Sequence, residues 1–200
     1  STLSWRCGVN SAAESIEPVV ISGWGLVSPF GMGKAAFIQG MKAGRTAIRP
    51  IGLFDASRRR SRIGAEIPDF QPEKLLGSKG LRLLDRTTRM ALCAAQEALT
   101  EAGLAAAQPL DGIAMVLGSM AGSATSLGDF IATTFTKGPR AVNPSLFPNT
   151  VANSTASQIA IRYQMTGPNL TLSSGWISAL SAFETATGLL RRGSIRAALV

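Results

Sequence analysis

The feature that most constrains the fold is a series of short apolar runs that alternate with helix-like segments. These runs cover residues 19–24, 112–117, 170–172 and 197–200. They lack the regular apolar–polar alternation of a strand with one wet face, so each is predicted to be a strand buried on both faces. Strands of this kind are typical of a parallel sheet with helices packed on both sides.

Four helices are predicted around these strands: residues 34–42, residues 85–102, a segment from Asn149 or Thr150 to Gln164, and residues 177–192. The strongest is 85–102, because Ala, Leu, Arg and Glu dominate it and Gly103 follows as a natural C-cap. Cys93 lies in this helix and is predicted to be a small core residue, not a nucleophile. The alternation of strands and helices predicts an α/β fold. Since the last apolar run reaches Val200, we expect the chain to be a portion of a larger fold.

Composition narrows the class of protein. Hydrophobic residues make up 46% of the 200 residues and charged residues only 16%, so much of the surface is expected to be covered by other atoms. The apolar runs fall short of the roughly 18 residues that cross a bilayer, and residues 1–17 are too polar for a signal peptide. We therefore expect a cytoplasmic protein without membrane insertion.

Histidine is absent and there are two cysteines, Cys7 and Cys93. These residues provide neither a disulfide framework nor zinc-ligand spacing, so no metal and no bound cofactor are predicted. The lack of histidine also excludes Ser-His-Asp or Cys-His catalysis completed within this chain.

The segment "LTLSSGWISAL" places a bulky indole at an unusual position. If the helix after "SSG" closes at Gly193, Trp176 stands at its N-terminus, where free backbone N–H groups and positive potential favour a nucleophile. Indole has one N–H donor and no atom suited to acyl transfer. Ser174 and Ser178 flank the turn and are predicted to satisfy local backbone groups.

Several blocks carry a resemblance in their order and spacing: "VVISGWGLVSPFG", "LRLLDRTTRMALCAAQEALTEAGL", "VLGSMAGS", "GPRAVNPSLFPNTVANSTASQIAIRY" and "GPNLTLSSGWISA" followed by "GSIRAALV". They resemble the β-ketoacyl-acyl carrier protein synthases of the thiolase superfamily. The resemblance covers nearly everything from Pro18 to Val200. It implies a thiolase-like layered αβαβα fold, of which residues 18–200 are roughly the N-terminal half, preceded by a polar N-terminal extension over residues 1–17.

In that family the position of Trp176 is the active-site Cys, and two His and a Lys from the second half of the fold complete the site. A tryptophan there cannot carry a thioester. The resemblance then points to the cysteine-less chain-length factors, which pair with a catalytic ketosynthase in a heterodimer and close its acyl tunnel. Their substitute residue is often Gln, and this chain has Trp. A synthase whose Cys has been replaced by Trp176, and a degenerate thiolase-fold binding protein, remain as alternatives.

The resemblance also assigns site residues. Ala121 is expected to gate the acyl pocket. Trp176 is expected to fill this subunit's own tunnel with a buried indole of roughly 150–250 Å². The residues expected to shape the partner's tunnel are Phe130, Thr133, Leu146 and Phe147. The pairing surface is expected to consist of the loop 142–148 and of Asn169, Leu170, Thr171, Leu172 and Ser173.

The formal charge of +8 has its densest run in "SRRRSR", which contains Arg58, Arg59, Arg60 and Arg62. A solvated loop and a site for an acidic protein partner are both consistent with this run. It lacks interleaved aromatic residues, so nucleic acid is not predicted. The resemblance supplies a candidate partner, an acidic acyl carrier protein that delivers its substrate on a phosphopantetheine arm.

Overall fold

The computed structural model describes residues 18–67 and 69–200. The predicted extension over residues 1–17 lies outside the described residues. The described residues form strands and helices in this order: β1 Val27–Ser28, β2 Gly31–Met32, α1 Lys34–Lys42, β3 Arg49–Pro50, β4 Ile63–Gly64, α2 Glu73–Leu76, α3 Arg86–Glu101, β5 Ile113–Gly118, α4 Ala124–Lys137, α5 Ser154–Tyr163, β6 Asn169–Leu172, α6 Ser178–Arg191 and β7 Ala197–Leu199. Short 3-10 helices lie at Pro139–Ala141, Pro144–Thr150 and Gly175–Ile177.

The main sheet is parallel and has the strand order β6-β5-β7. Its central strand is covered on both faces. Ile113 and Met115 belong to one hydrophobic core with residues of α3 and α5, whereas Ala114 and Val116 belong to a second core with residues of α6. A parallel strand buried in this way has no wet face to mark with polar residues. The predicted α/β arrangement with helices on both sides of the sheet is confirmed.

Helix α3 begins and ends within one residue of the predicted bounds. Asp85 is its N-cap, because its side chain accepts a hydrogen bond of 2.7 Å from the Thr88 N–H. Cys93 is 1% exposed, which confirms it as a core residue. Burial, together with the nearby Glu73 carboxylate, raises the pKa of its thiol to about 11. A thiol of that kind stays protonated and inert at neutral pH.

The prediction of a buried strand at residues 19–24 is wrong. Val20 and Ile21 are 77% and 75% exposed, and the segment forms no strand. It crosses α3 instead, at the glycines of "GWG". A Cβ atom on Gly25 would lie 1.9 Å from the Ala94 carbonyl oxygen, so only glycine permits this approach. The backbone N–H groups of Trp24 and Leu26 donate to α3 carboxylates, and these replace the hydrogen bonds of a sheet.

Helix α4 was not predicted, and α5 begins later than predicted. The sequence of α4 contains four threonines and a glycine, which are poor helix formers. Two of its threonine hydroxyls donate back to carbonyls one turn earlier, Thr134 to Phe130 and Thr136 to Ala132. The residues before α5 form the 3-10 helix Pro144–Thr150, and its Pro148 cannot donate to an α-helical ladder.

Candidate functional site

The turn between β6 and α6 is built around two glycines and one serine. Gly175 has φ +65, a conformation that strains any side-chain-bearing residue. Gly118 ends β5 directly beneath the turn, because a Cβ atom there would lie 2.3 Å from the Ser178 carbonyl oxygen. The turn therefore rests on the carboxyl ends of the parallel strands β5 and β6, the edge where α/β sheets carry their sites.

Ser178 closes this turn with its hydroxyl. The oxygen accepts a hydrogen bond of 3.0 Å from the Ser174 N–H and donates to the Gly175 carbonyl at 2.6 Å, with the Ser119 carbonyl a second acceptor at 3.2 Å. Ser178 is 3% exposed. These contacts agree with the predicted role of this serine as a partner of local backbone groups.

Trp176 lies in the 3-10 helix Gly175–Ile177, immediately before α6, as predicted for the start of the helix. Its side chain is 92% exposed. The described residues, which span only part of the fold, do not bury it, so the filling of this subunit's own tunnel by the indole stays a prediction. The turn directs residue 176 away from the two cores, and exposed apolar residues follow it: Ile177 in the same 3-10 helix and Leu180 and Phe183 in α6.

Three of the predicted tunnel residues line one cavity of about 200 Å³ between α4, residues 82–85 and the loop 142–149. They are Phe130, Thr133 and Leu146. Phe147 does not line the cavity, but its ring packs edge-to-face with that of Phe130 at a centroid distance of 5.8 Å. Ala121 does not line this cavity. It is exposed in the loop before α4, where its carbonyl accepts from the Ala124 N–H.

The sequence reasoning missed the polar residues of this cavity. The Ser126 hydroxyl donates to the second carboxylate oxygen of Asp85 at 3.1 Å, and the buried Asn149 donates through its amide to the Leu83 carbonyl at 2.6 Å. These residues come from three separate segments, so no periodicity marks them. The sequence placed Asp85 only as the first residue of a helix; the contact of its second carboxylate oxygen with α4 depends on the fold.

The predicted pairing residues lie at an edge of the sheet. Among the described residues β6 pairs with β5 alone, so its other side is open. Leu170 is 38% exposed there, and Asn169 and Ser173 are exposed at the two ends. The buried Thr171 hydroxyl has no hydrogen-bond partner within the described part of the chain. An open strand edge of this kind is a template for pairing with another chain.

The basic run lies in the loop between β3 and β4. Arg58, Arg59, Arg60 and Arg62 are all exposed. The one ion pair among residues 18–67 and 69–200 joins Lys34 and Glu101 at 2.8 Å, so these four arginines have no acidic partner there. The structure thus leaves both interpretations of this run open, a solvated loop and a site for an acidic partner.

The sequence of this chain matches a known protein family. The model of the Beta-ketoacyl synthase, N-terminal domain, matches residues 16–200. The chain belongs to the β-ketoacyl synthase family. It is similar to the tetracenomycin polyketide synthase ketoacyl synthase alpha subunit of Streptomyces glaucescens, with 38% identity over 88% of this chain and 43% of that protein. It is also similar to 3-oxoacyl-[acyl-carrier-protein] synthase 2 of Coxiella burnetii, with 32% identity over 77% and 37% of the two chains.

Solved structures agree with this β-ketoacyl synthase assignment. The ishigamide ketosynthase/chain length factor superposes with a TM-score of 0.69 at 30% identity, over 88% of this chain and 49% of the solved one. A β-ketoacyl synthase from Burkholderia phymatum superposes with a TM-score of 0.75 at 23% identity, over 87% and 43%. The thiolase-like fold is confirmed, and the chain spans about two fifths to one half of the length of these relatives. In the part of the chain that the structure describes, no helix is long and apolar enough to cross a membrane.

Proposed function

We propose that this β-ketoacyl synthase-family chain is part of a cysteine-less chain-length factor. Such a subunit pairs with a catalytic ketosynthase and shapes its acyl tunnel in type II polyketide or fatty-acid-like biosynthesis in the cytoplasm. The observation that carries the proposal is the residue at the family's nucleophile position. Trp176 stands on the turn at the carboxyl ends of β5 and β6, and an indole cannot form the thioester that condensation requires.

The position of the cavity supports a role in shaping a tunnel. Phe130, Thr133 and Leu146 line one space, and the loop 142–148, predicted to pair with the partner, forms one of its walls. An acyl chain that crosses the pairing surface from the partner would meet these side chains first. We propose that they set the depth available to the partner's acyl chain, with Ala121 as the gate.

The open edge of β6 supports pairing with a ketosynthase-like partner. Main-chain hydrogen bonds to Asn169–Leu172 would satisfy the free groups of this strand. The similar solved structure is that of the ishigamide ketosynthase/chain length factor. We propose that this chain uses its β6 edge in the same kind of pair.

A second candidate function is condensation itself, in a 3-oxoacyl-acyl carrier protein synthase whose Cys has been replaced by Trp176. The similarity to proteins that are themselves synthases favours it. Trp176→Cys separates the two candidates. A disabled synthase is expected to regain condensation, whereas a dedicated partner subunit stays inactive alone. A degenerate thiolase-fold binding protein would neither regain activity nor bind a synthase.

The exposed arginines of the β3–β4 loop are proposed to attract the acyl carrier protein that delivers the substrate on its phosphopantetheine arm. Four exposed cations without acidic partners among the described residues create a positive potential that steers an acidic protein. Neutralising Arg58, Arg59 and Arg60 together is expected to weaken carrier binding and flatten its salt dependence. Unchanged affinity and salt dependence would leave this run a solvated loop.

Native mass spectrometry of the full-length protein tests the proposed function. The protein is measured alone and after co-expression with a synthase encoded beside it. A one-to-one heterodimer is expected, and it directs the search for the nucleophile to the partner. A homodimer that ignores the synthase would overturn the proposal in favour of a disabled synthase or a binding protein.

A further inference from the structure

Ser178 ties together the three segments that meet at the nucleophile-position turn. Its hydroxyl contacts the Ser174 N–H, the Gly175 carbonyl and the Ser119 carbonyl at 3.0, 2.6 and 3.2 Å. Its own backbone is pressed onto the end of β5 at Gly118. One buried oxygen thus joins the end of β5, the exit from β6 and the start of α6.

We propose that Ser178 is a positioning residue: its hydroxyl sets the direction in which the side chain at position 176 leaves the start of α6. The inference rests on the part of the proposed function that makes residue 176 the nucleophile position. The side chain of Trp176 is 92% exposed, so packing among the described residues does not orient it. Within the described residues its direction comes from the backbone of the turn, and the backbone of Gly175 is held there by the bond to Ser178.

The geometry explains why a hydroxyl stands at this position. Gly175 lacks a Cβ and has nothing within 4 Å of where one would be, so side-chain packing does not fix its φ of +65. Glycine loses more conformational freedom on ordering than any other residue, and the turn needs a compensating contact. The short bond from Ser178 to the Gly175 carbonyl supplies it. The bond from Ser174 fixes the other side of the same glycine.

The test uses the thiol that Trp176→Cys introduces into the full-length protein. The pH dependence of its alkylation by iodoacetamide reports its apparent pKa, and peptide mass spectrometry separates it from the other thiols. A thiol held at the start of α6 is expected to titrate below the ordinary value of roughly 8.5. Adding Ser178→Ala should raise the midpoint by about half a pH unit, the shift expected when a charge moves away from a helix end.

Two matched variants give the result its meaning. Ser178→Thr keeps the hydroxyl and is expected to restore the parent midpoint. Ser181→Ala removes a hydroxyl one turn further along α6 and should leave the midpoint unchanged. The inference would be overturned if Ser178→Ala left the alkylation midpoint unchanged, or if Ser178→Thr shifted the midpoint as far as Ser178→Ala does. Cys93 reports folding in every sample, because its buried thiol should stay unmodified.

Amide hydrogen exchange on the unmutated protein decides the matter if Ser178→Ala does not fold. Ser174 is exposed, yet its N–H donates to Ser178. This amide is expected to exchange at least about tenfold more slowly than an open one. Exchange of this amide at the unprotected rate would refute the hydrogen bond from Ser174 to Ser178 on which the inference depends. Both measurements are made on the protein without a partner, so they stand even where the chain-length-factor proposal fails.

Discussion

Glu97 fastens the N-terminal segment to α3, and its replacement tests that role. Its two carboxylate oxygens accept hydrogen bonds from the backbone N–H of Leu26 at 2.9 Å and of Lys34 at 3.0 Å. Glu97→Ala leaves both partly buried donors without this acceptor. Residues 18–26 have no strand partner among the described residues that could replace the lost bond to Leu26.

The expected loss follows from these two bonds. A hydrogen bond to a charged group contributes roughly 1.5–3 kcal/mol net, and water can reach part of this site after truncation, so we expect Glu97→Ala to lower the free energy of unfolding by about 3 kcal/mol. Glu97→Gln keeps one acceptor oxygen and turns an amide donor toward the other N–H. It is expected to cost about half as much.

Urea unfolding of the full-length protein, followed by circular dichroism, measures these losses. Glu184→Ala serves as the control, because Glu184 is exposed on α6 and its removal should change the stability by less than about 0.5 kcal/mol. If Glu97→Ala matched this control, the carboxylate would not hold the segment. If Glu97→Gln cost as much as Glu97→Ala, the hydrogen-bond argument would be wrong.

Three further predictions follow from the same structure. The Lys34 ammonium and the Trp24 N–H lower the pKa of Glu101 from its ordinary value of 4.5. The stabilisation that the ionised Glu101 provides is therefore complete above pH 4.5 and is lost as the pH falls below 4.5, so Glu101→Gln should flatten the pH dependence of the free energy of unfolding in that range. Gly25→Ala should destabilise the protein by more than about 2 kcal/mol in the same urea assay, because its Cβ would overlap the Ala94 carbonyl, and a smaller loss would show that the segment can move away. Phe130→Ala should lengthen the products of the reconstituted synthase pair, whereas Phe135→Ala, on an 85% exposed side chain of the same helix, should not; equal product lengths in both would count against the cavity.

The parts of the fold that the sequence predicted are those in which local pattern and tertiary burial agree. Strand β5 is apolar because both of its faces are covered, and α3 combines strong helix formers with a capping aspartate. Helix α6 is bounded by glycines at both ends, Gly175 and Gly193. In each case residues within the element or within three positions of its ends determine its limits, so the sequence alone is sufficient.

The predictions of secondary structure fail where contacts with residues distant in the sequence determine the conformation. Residues 19–24 have the composition of a buried strand, but the N–H groups of Trp24 and of the nearby Leu26 donate to carboxylates of α3, more than 70 positions along the chain. Helix α4 forms although its threonines and glycine disfavour it, because Phe130 packs on Phe147 and Ser126 bonds to Asp85. Propensity is a weak prior, and tertiary contacts of this kind override it.

In the candidate site, too, features set by local sequence could be predicted and features set by distant residues could not. The turn that carries Trp176 could be located from the sequence, because "SSG" before a helix is a local signal. The exposure of the indole could not be predicted from the sequence, since this exposure depends on which distant residues reach the turn. The sequence also suggested Phe130, Thr133 and Leu146 through the resemblance, but their shared cavity depends on the 3-10 helix Pro144–Thr150, which no periodicity predicted.

The exposed indole bears on how a cysteine-less subunit would work. An apolar stripe that includes Trp176, Leu180 and Phe183 is costly to leave in water, so its natural environment is a surface contributed by other atoms. The described residues leave the indole exposed, so the surface that covers it lies outside residues 18–67 and 69–200. Under the proposed function, that surface belongs to the rest of this subunit's fold or to the partner. The turn built around Ser178 then decides which surface the indole meets.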